Sequence, residues 1–361
     1  MIQCWRLMLQ NIRQVSLMIY DALVEILRNR VPIGVLKTES LEVQFDSTAE
    51  VMRGLRITVA KDPVMNNQMI FNQFADRIRP SLIIDGQKYP LGIYMIYTND
   101  EVLSEHGSVD KYEAYDETMI LKMNKFASRQ FYAAGTLYQN IIETLLVQNG
   151  LSNYVINDET SYALSEDREV KPGVSHMEFI NGLLDEMNYE HIYADLSGTI
   201  HIQKKVESKK ADIVYSDERD FAIEGNIDFT TDIYGLPNVV VGYTSSPDTS
   251  ETLRSEMVND SPMSKISTVS RGYKVVKMLQ FSDIASQDVL DEIVKQEAVN
   301  SMQATEAVTV RTAPQPEHEF KSMVNLNTKL LNGLFLEKGW TLSINTSSGS
   351  MSHDLERKVY V

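Results

Sequence analysis

Long stretches of this chain alternate apolar and polar residues with a period of two, the pattern of half-buried strands. Leu41, Val43 and Phe45 alternate with Glu42, Gln44 and Asp46, and Leu55, Ile57 and Val59 alternate with Arg56, Thr58 and Ala60. Leu82, Ile83 and Ile84 lead into Asp85-Gly86, and Leu91, Ile93 and Met95 follow, which predicts a hairpin within 81–96. Strand character runs on to Tyr115. There Asp116-Glu117-Thr118 stands as a cap before a short apolar helix ending at Met123.

Between Gly135 and Asp195 the period lengthens to that of a helix. Leu137, Ile141, Ile142, Leu145 and Leu146 follow a capping Thr136 and end at Gly150; a second helix is expected from Ser175 to Met187, after Lys171-Pro172-Gly173. The stretch from Leu183 to Ile202 then reads as a helix end running into a hairpin. Leu196-Ser197-Gly198 is its turn, and Ile200 and Ile202 alternate with His201 and Gln203 beyond it.

Strands return from Ala211. Ile227, Phe229 and Thr231 alternate, and Val239-Val240-Val241 form a buried run. The segment 245–264, rich in Ser, Thr, Asn, Asp and Pro, predicts a long loop. A helix over 282–302 is expected to carry Ile284, Val289, Ile293, Val294 and Ala298 on one side, and strands near 308–310, 334–336, 340–344 and 358–361 close the chain. At the other end Ile12, Val15, Ile19, Ala22, Leu23 and Ile26 recur at helical spacing, which predicts a short amphipathic helix docked on protein.

The composite is α+β: two blocks of antiparallel strands separated by a helical insertion, without regular βαβ alternation. The expected divisions are an N-terminal helical segment 1–30, a first β-barrel domain 31–128, an inserted α+β domain 129–208, and a second β-barrel domain 209–361 that carries helix 282–302. A chain of 361 residues has room for more than one core.

Charge and composition narrow the function classes. A formal charge of −16, from 50 acidic and 34 basic residues, argues against a nucleic-acid clamp. The lone cysteine, Cys4, permits no intrachain disulfide and no cysteine-based zinc site. The longest uncharged stretch near the N-terminus, Gln14 to Tyr20, falls far short of the roughly 20 residues that span a bilayer, so membrane insertion is not expected.

No chemical motif stands out. The six histidines, His106, His176, His191, His201, His318 and His353, include no i, i+4 pair of the kind that binds zinc on a helix. His191 and His201 face each other across the predicted hairpin with Glu190 or Asp195 nearby, and His318 sits in a Pro-framed turn; solvent-facing histidines are the simpler reading of both. There is no nucleophile elbow, phosphate-binding loop or dinucleotide fingerprint. The acidic pairs Asp158-Glu159, Asp185-Glu186 and Asp217-Glu218 are the only support for a glycan hydrolase. No catalytic, metal or cofactor-binding residue is therefore assigned, and no enzyme activity is expected.

Several stretches, in order, resemble the tail-hub, or baseplate-hub, proteins of tailed phages and phage-tail-like particles. Leu41 to Val59, with Asp46-Ser47-Thr48-Ala49-Glu50-Val51-Met52-Arg53, resembles the family's opening strands. Tyr89 to Ile96, with its Pro-Leu-Gly, and Tyr112-Glu113-Ala114-Tyr115-Asp116 resemble the strands before the insertion; the helix-to-hairpin stretch 183–202 resembles the inserted domain. Leu236 to Val241 with Asn259-Asp260-Ser261-Pro262 resembles the re-entry into the second barrel, and Gly333 to Trp340 with Met351-Ser352-His353 the final hairpin.

The resemblance implies a homotrimer whose two related barrels per chain form a pseudo-sixfold ring. Such a ring adapts a sixfold tail tube to a threefold spike or fibre and encloses the channel. The implied partners are a tail-tube or distal tail protein, a spike or fibre tip protein and a tape-measure protein. The implied location is a virion tail or tail-like particle assembled in the host cytoplasm. A cell-wall glycan hydrolase of a tail and a distal or minor tail adaptor are the competing functions.

Overall fold

The computed structural model describes residues 20–359 apart from 61–63, 66–69, 105–106, 158–161, 165, 188, 206–209, 217–222, 224–226, 233–234, 245–252, 282–286 and 346–347. The chain divides into two compact units. The first, Met1–Lys209, also takes Thr312–Ser322 and Gly339–Ser352; the second takes Lys210–Arg311, Met323–Lys338 and His353–Val361.

The first unit opens with β1 (Tyr20–Arg28), β2 (Val31–Leu36), β3 (Thr38–Asp46), β4 (Arg53–Ala60) and the two-residue β5 (Val64–Met65). It continues with β6 (Arg77–Ile84), β7 (Gln87–Pro90), β8 (Tyr94–Ser104) and β9 (Gly107–Asp116). Residues 20–28 are thus a strand where the helical segment 1–30 was expected; its residues 1–19, and with them Cys4, lie outside the described residues. Pairing explains the difference. Each residue from Tyr20 to Leu27 is matched antiparallel to β6, and Val24 and Ile26 are fully buried there, so the sheet decides a pattern that reads equally well as a helix face.

The strand order is 339–345, β3, β4, β9, β8, β6, β1, β2, β5, with β7 beside β6. The β3–β4 and β6–β7 hairpins follow the sequence pattern, and Leu41, Val43, Phe45, Leu55, Ile57 and Val59 are all buried. Among the described residues the order does not return on itself, so this sheet is open where a closed barrel was expected. On the side away from β1, β2 meets among the described residues only Val64 and Met65 of β5. Gly339 allows the close approach of 339–345 to β3, for a Cβ there would lie 2.7 Å from the Phe45 carbonyl oxygen.

Within the same unit, residues 119–202 form a lobe with its own core. It holds α1 (Met119–Met123), β10 (Gln130–Tyr132), α2 (Tyr138–Gln148), β11 (Tyr154–Ile156), β12 (Arg168–Val170), α3 (His176–Glu186), β13 (Tyr193–Ala194) and β14 (Ile200–Ile202). Ile141, Ile142, Leu145 and Leu146 of α2 pack with Met177, Ile180, Leu183 and Leu184 of α3. Ser175 caps α3 as its spacing predicts, its hydroxyl accepting the Glu178 amide at 3.0 Å. Thr136 does not cap α2; its hydroxyl instead donates to the Ala133 carbonyl. The predicted Leu196-Ser197-Gly198 turn joins β13 to β14. Glycine is needed at position 198, where φ is +78° and a Cβ would lie only 2.9 Å from the Ile93 side chain.

The second unit holds β15 (Ile213–Ser216), β16 (Asp228–Asp232), β17 (Val239–Thr244), β18 (Arg254–Val258), α4 (Thr268–Arg271), β19 (Val276–Phe281) and α5 (Gln287–Ser301). It also holds most of β20 (Ala304–Thr312), β21 (Met323–Asn327), and parts of β22 (Asn332–Asn345) and β23 (Gly349–Val359). One sheet runs β16, β20, β23, β22, β21, β15 and is likewise open. The other is β18, β17, β19, with the apolar side of α5, Leu290, Val294 and Ala298, packed on Val240. Arg254–Val258 is a strand inside the stretch expected to be loop, paired with the Val-rich β17. Helix 282–302 is seen as α5, residues 282–286 being outside the described ones. No described helix is long and apolar enough to cross a membrane.

Candidate functional site

The residues weighed for chemistry around the 183–202 hairpin do not converge. His191 Nε2 is 3.0 Å from Asp185 Oδ2, whereas His201 Nε2 is 2.9 Å from Asp195 Oδ2, so the two histidines face different carboxylates. Asp185 also meets Lys205 at 3.3 Å, and its neighbour Glu186 is taken by Arg168 (2.6 Å) and the Tyr138 hydroxyl (2.7 Å). Two carboxylates held by separate cations do not make an acid and a nucleophile. Asp158-Glu159, Asp217-Glu218 and His106 lie outside the described residues.

The remaining histidines are internal, against the solvent-facing expectation for His318, which is buried. His176 tilts against Phe126 at 4.6 Å, with the Asn149 amide 2.8 Å from its Nδ1, and burial lowers its pKa, so it is a neutral core residue. In the second unit His353 Nδ1 lies 2.7 Å from Glu337 Oε1, both groups fully buried, and its ring tilts against Tyr215. Sequence spacing carries no sign of that pair, because β22 and β23 bring it together from 16 residues apart.

Among the described residues, a cluster of functional groups lies in the first unit, where the β13–β14 turn meets β4. Arg53 opens β4 and is fully buried. Its amide donates to Asp116 Oδ2 (3.1 Å) and its Nε to the Ala194 carbonyl (2.8 Å). Its guanidinium lies 4.9 Å from the Phe45 ring and 5.7 Å from that of Trp340. Nη1 and Nη2 make no well-formed hydrogen bond, and neither does Trp340 Nε1, although the Tyr94 hydroxyl stands close enough to interact with Arg53. Asp116 is already engaged, accepting the Thr118 amide at 2.8 Å and the Thr118 hydroxyl; burial raises its pKa against those bonds.

Beside Arg53, Asp195 organises the turn. One oxygen accepts the Ser197 and Thr199 amides at 2.8 and 2.9 Å, and the other meets His201. Burial pushes its pKa upward, but the bonds from His201, Ser197 and Thr199 outweigh it and hold the carboxyl at about 2. Nothing here resembles a nucleophile with a base. The chemistry on display is that of a rigid junction.

Large apolar side chains are exposed as well. On the turn before β6, Ile70 and Phe74 are 81% and 96% exposed. The turn that presents them is held by Arg28 and the Asn72 amide, both bonded to Asp76 at 2.7–2.8 Å. A cleft lined by Arg28, Ile70, Phe71, Asn72, Gln73 and Phe74 lies against them. In the second unit, Val258, Val276 and Met278 stand 40–56% exposed on the face of β18 and β19 away from α5.

No family model matches the chain, and no curated protein matches its sequence. Solved structures do. A tail protein from Neisseria meningitidis MC58 matches with TM-score 0.67 at 13% identity, over 93% of this chain and 96% of its own. The 43 kDa tail protein of prophage MuSo2 from Shewanella oneidensis matches with TM-score 0.65 at 9% identity, over 93% and 98%. An E. coli component of the type VI secretion system, described as similar in structure to bacteriophage T4 tail proteins, matches with TM-score 0.53 at 10% identity, over 94% and 76%. The fold of this chain is that of these phage tail proteins.

Proposed function

We propose that this chain is the structural hub of a phage tail or phage-tail-like particle. Three copies form a ring that joins a sixfold tail tube, or a distal tail protein, to a threefold spike or fibre tip, and the ring encloses the channel occupied by the tape-measure protein. Its role is non-enzymatic and it binds no nucleic acid specifically. Its place is the tail of a particle assembled in the host cytoplasm.

The observation that carries this reading is the extent of the fold match. Nine-tenths of this chain superimposes on nearly the whole length of two tail proteins, so the likeness belongs to the entire architecture and not to a shared module. Ion-paired carboxylates and a buried, aromatic-flanked arginine suit a rigid part better than a catalyst. Exposed apolar side chains on an ordered turn suit a subunit surface.

The reading is tested in the host that makes the particle. Without this chain, tubes are expected to accumulate without an attached tip, and an affinity-labelled copy is expected at the tube-to-tip junction by electron microscopy. Tubes that carry normal tips without it would overturn the assignment.

A further inference from the structure

Arg53 is a wholly buried cation, two of whose three guanidinium nitrogens make no well-formed hydrogen bond, which is costly unless a counter-charge reaches it. The carboxylate nearest those nitrogens belongs to Glu319, whose Oε2 stands 4.0 Å from Nη2, about 1 Å beyond a hydrogen bond. The Glu319 side chain is still 55% exposed.

Glu319 lies in a segment bonded on both sides. Phe320 stacks flat on Tyr193 of the lobe, with ring centroids 4.0 Å apart at 15°, and meets Phe45 of the sheet edge-on at 6.2 Å. Lys321 Nζ bonds Glu190 Oε2 at 2.6 Å. The turn is tied by the Glu319 amide donating to Ser322 Oγ (3.1 Å), and Lys321 sits at φ +55°, a conformation that a side-chain-bearing residue holds only when its surroundings impose it. The tip of the lobe, 193–198, therefore touches both Arg53 and this segment.

We propose that residues 317–322 form a strap that closes on Arg53. A small turn of the Glu319 side chain seats its carboxylate on Nη1 and Nη2, in the two-bond geometry that guanidinium and carboxylate favour. Closure clamps the 193–198 tip against β4 and so fixes the lobe on the sheet within this unit. Without that ion pair the tip is held only by Phe320 on Tyr193, Lys321 on Glu190 and the Arg53–Ala194 bond, a weaker tether.

Hydrogen exchange of the full-length protein, followed by mass spectrometry, tests this. In Glu319→Gln, which keeps the shape and removes the charge, amides of both 317–322 and 193–202 are expected to exchange about tenfold faster, the least expected from loss of a hydrogen bond to a charged group, while β4 stays protected. Glu319→Asp, which keeps the charge but shortens the reach, is expected to match Glu319→Gln. Unchanged exchange in Glu319→Gln, faster exchange in the strap alone, or wild-type behaviour of Glu319→Asp would each overturn the strap.

Discussion

At the scale of single residues, the junction turns on groups whose types are visible in the sequence but whose roles are not. Arg53 reads there as one more polar residue entering a strand; only the fold shows it buried beneath Phe45 and Trp340. Asp195 was legible as a turn residue near His201, and the structure makes it the acceptor for the whole turn. Its folded pKa of about 2 lies below the ordinary 3.8, so its contribution to stability is complete above pH 4 and is lost as pH falls toward 2. The gap corresponds to about 2 kcal/mol. Unfolding free energies of the wild type and Asp195→Asn, compared across pH, are expected to differ by about that amount at neutral pH and to converge near pH 2. A difference that does not change between pH 5 and pH 2 would remove Asp195 from this role.

At the scale of elements, hairpins and helices with local signals were legible, and those settled by distant pairing were not. The Asp85-Gly86 and Ser197-Gly198 turns, the Ser175 cap and the Val239–Val241 run all stand where their residues place them. Residues 20–28 have an apolar pattern compatible with helix and strand alike, and β6 is the partner that decides. Strand Arg254–Val258 carries two charges in five residues and reads as loop until β17 is seen beside it. Sheet closure has no local signal at all, which is why barrels were expected and open sheets are found.

The lobe core is an element-scale prediction of its own. Leu145 is 2% exposed between α2 and α3, and a carboxylate there would be buried without a partner, at a cost of several kcal/mol. Leu145→Asp is expected to release exchange protection throughout 137–202 while β3 and β4 keep theirs. An intact lobe in that variant would show the core to be elsewhere.

At the scale of the whole molecule, the sequence carried a resemblance to tail-hub proteins through short stretches spread along the chain, each uninformative alone. The division into units was hidden, because 312–322 and 339–352 fold with residues far earlier in the chain. Charge bears on the proposed ring. A formal −16 per chain becomes −48 for three chains, a strong field within a Debye length of about 8 Å. A basic wall would hold DNA by releasing its counterions, so a channel that lets cargo slide is expected to be lined by net negative charge, with no cluster of Lys or Arg. A ring of lysines facing the lumen would contradict this and leave the acidic balance to the outer surface.

The most direct test of the hub assignment is the rotational symmetry of this protein within the tail, read from electron micrographs of intact particles. The account predicts a closed ring of three 41.0 kDa chains between tube and tip, with threefold symmetry and six similar surfaces toward the tube. A single copy, a pair, or a ring of six chains at that position would contradict it.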